Sequence, residues 1–123
     1  GGGYLTGKYT RDGAEASGRI TESAMYQVRY GEEHYPRIAV EFTELANELG
    51  HHPASLAIAW AASHPSVTAP LLGARNLEQL EPALASVEID MTPELRARIS
   101  ALSPTPPPAT DRNEEQGGHR PGK

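Results

Sequence analysis

The chain has 123 residues, no cysteine and a net charge of −5, from 11 Lys and Arg against 16 Asp and Glu. That excludes disulfides and thiolate metal centres, and an acidic balance with no compensating basic run argues against nucleic-acid binding. No apolar stretch approaches the roughly 20 residues of a membrane span and no signal-peptide pattern is present, so one small, soluble, cytoplasmic domain is expected.

With a single Phe and a single Trp, the core has to be built from Leu, Ile, Val and Ala, which is lean for independent folding. In chain order, Gly1-Gly2-Gly3 has no side chain to bury. Its use is close approach of the backbone to something bulky, or else it is a floppy terminus. Lys8 follows in "GGGYLTGKY". From Thr10 to Tyr35 the chain is polar and aperiodic, a long loop with one short helical turn around Glu22 to Gln27; such loops are lids or disordered.

Pro36 is expected to open a helix whose apolar stripe is Ile38, Phe42, Leu45 and Leu49, at i, i+4, i+7 and i+11. Gly50 reads as its C′ residue. Pro53 fits the first turn of a second helix with Leu56, Ala57, Trp60 and Ala61 on its buried face, closed by His64-Pro65. His51-His52 flanks that helix; adjacent side chains diverge and no third ligand is near, so no metal site is assigned. Trp60 reads as a core residue rather than a stacking platform.

Val67 to Leu72 is a short apolar run and predicts a buried strand, although Pro70 removes one ladder donor. It runs into Gly73-Ala74-Arg75 and then a helix from Asn76 to about Ser86. Asn76 is a good N-cap and Gln79 completes a capping-box spacing. A strand ending in glycine at a helix start offers free N–H groups and a positive dipole end, which suits an anion such as phosphate. Arg75 adds a guanidinium able to pair with phosphate oxygens. Strand–glycine–helix turns without any ligand are also common. Thr92-Pro93-Glu94 then starts a last helix striped by Leu95, Ile99 and Leu102. Beyond Ser103, residues 104–123 are rich in Pro, Gly and charge and read as a disordered tail.

"TAPLLGARNLEQLEPAL", together with the opening "GGGYLTGKY", resembles the C-terminal part of the aldo-keto reductases, in particular their bacterial NADP-dependent group. The resemblance runs from Gly1 to about Ser103 and implies an α/β fold, the C-terminal portion of a (β/α)8 barrel. The order would be the end of strand 7, helix 7, strand 8, helix 8 and an extra helix. A complete barrel needs roughly 250 residues, so the barrel is incomplete.

The resemblance also implies the cofactor NADP(H) and, in the full-length enzyme, a small carbonyl substrate. Gly1, Gly2, Gly3 and Lys8 would supply the loop after strand 7, Arg19 a basic grip from the long loop, and Gly73, Ala74, Arg75 and Gln79 the turn and helix after strand 8. The family's catalytic tyrosine, lysine, aspartate and histidine belong to early barrel strands. Tyr4, Tyr9, Tyr26, Tyr30 and Tyr35 are expected in loops without such neighbours, so no catalytic residue is assigned here. Where relatives carry an acidic residue and an asparagine that bind adenine, this chain has Pro82 and Ala83. The other reading is a truncated, non-catalytic remnant or an interaction module.

Overall fold

A computed structural model describes residues 2–8, 22–25, 27 and 34–105. Gly1, Arg19, Tyr9, Tyr26, Tyr30 and all but the first two residues of the 104–123 tail lie outside the described residues, as does most of the long loop. Within that loop Glu22 is helical and, after a break at Ser23, so are Ala24, Met25 and Gln27, with the Gln27 N–H donating to Ser23 O at 3.0 Å; the single turn expected over Glu22 to Gln27 is interrupted at Ser23.

From residue 34 on, the described residues form four α-helices: α1 (His34–Glu48), α2 (Pro53–Ala62), α3 (Leu77–Leu84) and α4 (Pro93–Ser100). Two 3-10 turns, Tyr4–Thr6 and Ala85–Glu88, complete them. α1 already includes His34 and Tyr35, ahead of the expected opening at Pro36. A proline is tolerated there because the first four N–H groups of a helix have no intrahelical acceptor. Tyr35 accordingly lies on α1 rather than in a loop.

α1 ends as its sequence dictates. Gly50 has φ 72, its N–H donates to Asn47 O at 3.0 Å, and the His51 N–H reaches back to Ala46 O at 2.9 Å. This is the Schellman pairing, in which a left-handed glycine satisfies two of the orphan carbonyls. His52 then caps α2, its Nδ1 accepting from the Ala54 N–H at 3.1 Å with Pro53 at the first helical position. The His pair is thus a helix flank, as the sequence indicates.

The core joins three helices. Phe42, Leu45 and Ala46 of α1, Leu56 of α2 and Ile99 of α4 are buried against one another, with Leu49, Ala57, Trp60, Leu95 and Leu102 packed around them. α4 is started by Thr92, whose Oγ1 accepts from the Leu95 N–H at 3.2 Å. Arg96 of α4 spans the end of α2, donating to Trp60 O at 2.6 Å and Ser63 Oγ at 2.5 Å with its guanidinium 5.2 Å from the Trp60 ring. Trp60 Nε1 donates to Ser100 Oγ at 3.0 Å. Trp60 thus packs against the core as a half-buried residue rather than within it, with Arg96 over its ring, a partner that the apolar stripe of α4 did not announce.

α3 packs on α2 and on the 3-10 turn that follows it. Pro82 lies inside α3, where it cannot donate to Glu78 O, and the helix tightens into 3-10 geometry three residues later. The buried Ser55 of α2 donates its hydroxyl to Pro82 O at 2.5 Å, tying the two helices where the proline weakens one. Ser55→Ala leaves that carbonyl without its partner and is expected to lower stability by about 1–3 kcal/mol. Urea denaturation measures it, and an unchanged midpoint would show the bond to contribute nothing.

One expectation is corrected. Val67 to Leu72 forms no strand: residues 67–74 are irregular, with Leu71 99% exposed and Leu72 43% exposed. A strand is stabilised by the ladder of its neighbours, and the described residues contain no other strand to pair with it. The described residues 2–8 of the "GGGYLTGKY" segment likewise show no strand end; Gly2 and Gly3 turn directly into the 3-10 turn Tyr4–Thr6.

Candidate functional site

Two groups of the sequence-predicted residues are brought together locally. In the first, Gly3 adopts φ 87 and its carbonyl accepts from the Thr6 N–H at 3.2 Å and from Thr6 Oγ1 at 2.7 Å. A Cβ on Gly3 would stand 3.0 Å from Lys8 Cε and 3.3 Å from Lys8 Nζ. The left-handed backbone favours glycine here, and a side chain would displace the end of the Lys8 arm that lies across it. Close approach was expected from the glycine run, and the group that approaches is Lys8 itself. Gly2 also has φ 61.

This turn is anchored to the helical core. A Cβ on Gly7, at φ 80, would meet Pro53 Cγ at 3.4 Å and Thr43 Cγ2 at 3.5 Å. The Tyr4 ring lies 6.3 Å from that of Tyr35. The segment holding Gly3 and Lys8 therefore rests on α1 and α2.

The second group is the start of α3. Asn76 caps it as expected, its Oδ1 accepting from the Gln79 N–H at 3.0 Å. Gln79 reaches back as a capping-box residue does, but one residue further: its Oε1 accepts from the Arg75 N–H at 3.1 Å, not from Asn76. The Leu80 N–H bonds Asn76 O, so the N–H groups of Leu77 and Glu78 are the donors left at the helix start. Gly73, Ala74, Arg75 and Gln79 are all exposed. Nothing lies within 4 Å of a Cβ on Gly73 and its φ is not positive, so neither backbone strain nor crowding calls for glycine there.

Among the described residues the Arg75 guanidinium makes no hydrogen bond or ion pair, while Glu78 places a carboxylate in the first turn. That acid satisfies the helix dipole and opposes an incoming anion, which leaves Arg75 as the main source of attraction for one. Beside this helix start, Glu78, Glu81 and Pro82 of α3, with Glu88, face His52 and Ser55 across a cleft of about 660 Å³. No group of three or more His, Cys, Asp or Glu residues among the described ones is placed to hold a metal.

The first group rests on α1 and α2 and the second on α2 and the 3-10 turn Ala85–Glu88, so α2 is the element they share. Sequence reasoning missed the bond between Gln79 and Arg75. The signal was present as the capping-box spacing, but spacing does not say which of two neighbouring N–H groups the amide will take.

Comparison with known sequences defines the class first. The sequence model of the aldo/keto reductase family matches residues 1–104, a family of oxidoreductases whose fold is the (β/α)8 barrel, whose cofactor is NAD(P)H and whose substrates are small carbonyl compounds. This chain belongs to the aldo/keto reductase family. It is 36% identical over 66 residues to a Bacillus subtilis protein named as an oxidoreductase, YrpG, covering 54% of this chain and 20% of that one. It is 30% identical over 100 residues to Protein tas of Escherichia coli, covering 81% of this chain and 29% of that one. It is also 31% identical over 107 residues to a putative voltage-gated potassium channel subunit beta of Schizosaccharomyces pombe, covering 81% and 30%. The chain thus spans less than a third of the length of each of these relatives. No helix among the described residues is long and apolar enough to cross a membrane.

Proposed function

We propose that this chain is the C-terminal, dinucleotide-holding part of a cytoplasmic NADP-dependent aldo-keto reductase, with residues 1–103 as the barrel portion. The observation that carries this reading is the start of α3, where Arg75, its guanidinium without a hydrogen bond or ion pair among the described residues, directly precedes the Asn76 cap inside the segment that matches the family. This arrangement fits a phosphorylated ribose. Arg75 would take the 2′-phosphate, the helix start would add its dipole, and Gly1, Gly2, Gly3 and Lys8, with Arg19, would lie along the pyrophosphate. Bound NADPH would supply the hydride for carbonyl reduction. The chain's own residues only hold and orient it, because the tyrosine, lysine, aspartate and histidine that handle the proton belong to strands outside this segment.

The second reading, a remnant or interaction module without a cofactor, is favoured by one observation. Ala83 is 6% exposed in the core and Pro82 is half-buried with its carbonyl taken by Ser55, so neither offers adenine a side-chain hydrogen bond. Titration with adenosine 2′,5′-bisphosphate and with AMP separates the two readings. The cofactor reading expects the bisphosphate to bind at least tenfold tighter than AMP, and equal or absent binding of both would overturn it. The chain alone is expected not to reduce aldehydes with NADPH; measurable turnover would overturn the assignment of the catalytic groups to other strands.

A further inference from the structure

We infer that the first turn of α2 is a joint between the Lys8-bearing turn and α3, and that His52 is its positioning residue, releasing the joint when protonated. The inference concerns the chain's own fold and does not depend on the cofactor reading. Three contacts meet in that turn. Pro53 receives the Lys8-bearing segment, since a Cβ on Gly7 would stand 3.4 Å from its Cγ. Ser55 donates to Pro82 O at 2.5 Å and so holds α3. His52 closes the helix over both: its Nδ1 accepts from the Ala54 N–H at 3.1 Å, and its carbonyl accepts from the Leu56 N–H at 3.1 Å.

This cap has a chemistry that the caps of α3 and α4 lack. Asn76 and Thr92 accept through oxygens that do not protonate near neutral pH, whereas an imidazole nitrogen accepts only while it carries no proton. Protonation turns Nδ1 into a donor facing the Ala54 N–H and places a positive charge at a helix N-terminus, where the dipole opposes it. Across the cleft stand three carboxylates, Glu78 and Glu81 of α3 and Glu88 of the 3-10 turn that follows, with His51 the other ionisable group in the lining. Among the described residues, α1 and the 3-10 turn Tyr4–Thr6, which also pack on α2, bring no ionisable side chain to that cleft. α4 meets α2 at the far end, where Arg96 bonds Trp60 O. The imidazolium is therefore drawn from α2 toward α3, and the turn that carries Pro53 and Ser55 frays.

Amide hydrogen exchange of the full chain at about pH 7.5 and about pH 5.5, either side of the range in which histidine changes charge, tests this. After correction for intrinsic exchange, the Ala54 and Leu56 amides should lose about three- to tenfold of their protection in acid, the effect of losing one N-cap. Thr6, whose N–H bonds Gly3 O in the Lys8-bearing segment, should loosen with them by about twofold or more. His52→Asn keeps a cap acceptor that takes up no proton, and should hold the neutral-pH protection at both values. His51→Asn should leave the acid response as in wild type. Wild-type protection of Ala54 and Leu56 that ignores pH, or an acid response that H52N retains or H51N abolishes, overturns the role of His52. A response at Ala54 and Leu56 that leaves Thr6 unmoved overturns the role of this turn as a joint.

Discussion

Leu56→Ala is expected to cost about 2–5 kcal/mol of stability. Leu56 is fully buried, at 0% exposure, where α2 meets Phe42, Leu45 and Ala46 of α1 and Ile99 of α4. Removing its side chain empties the point at which three helices share one apolar contact. A domain of this size has about 5–15 kcal/mol in total, and its core contains a single Phe and few large residues to collapse into the void. Chemical denaturation followed by helical circular dichroism gives the number. A loss under about 1 kcal/mol would mean that the helices hold together through other contacts.

Arg75→Ala should weaken NADPH by roughly 10- to 100-fold and NADH by much less, the range given by one charge-assisted hydrogen bond of about 1.5–3 kcal/mol. Arg75 is exposed and its guanidinium makes no hydrogen bond or ion pair among the described residues, and its near neighbour Glu78 is an acid that works against an anion. Helix N–H groups alone therefore offer little net attraction, and on the proposed reading the difference between a 2′-phosphate and a 2′-hydroxyl would fall on the guanidinium. Fluorescence titration of the two reduced nucleotides measures the ratio. Equal loss for both would move Arg75 away from the 2′-phosphate.

Much of the local structure was legible because it is decided within a few residues. The stripe Ile38, Phe42, Leu45 names the buried face of α1, Gly50 its end, Pro53 the opening of α2, and Asn76 and Thr92 the caps of α3 and α4. Each is a matter of helical period or of satisfying an orphan N–H or C=O, and the chain carries those instructions beside the groups they serve. The family was equally legible in "GARNLEQL" read with "GGGYLTGKY".

What the tertiary structure alone decided depends on partners distant in sequence. Val67 to Leu72 has the composition of a buried strand, yet a strand exists only where neighbouring strands complete its ladder, and no such neighbour stands among the described residues. The Arg96 contact with Trp60, 36 residues away, and the Ser55 bond to Pro82, 27 residues away, are likewise set by how helices pack rather than by any local pattern. Gln79 lies between the two cases. Its spacing foretold a bond back to the helix start, but whether the amide reached residue 76 or residue 75 was settled by the path of the incoming chain, because both N–H groups lie within the reach of one flexible side chain.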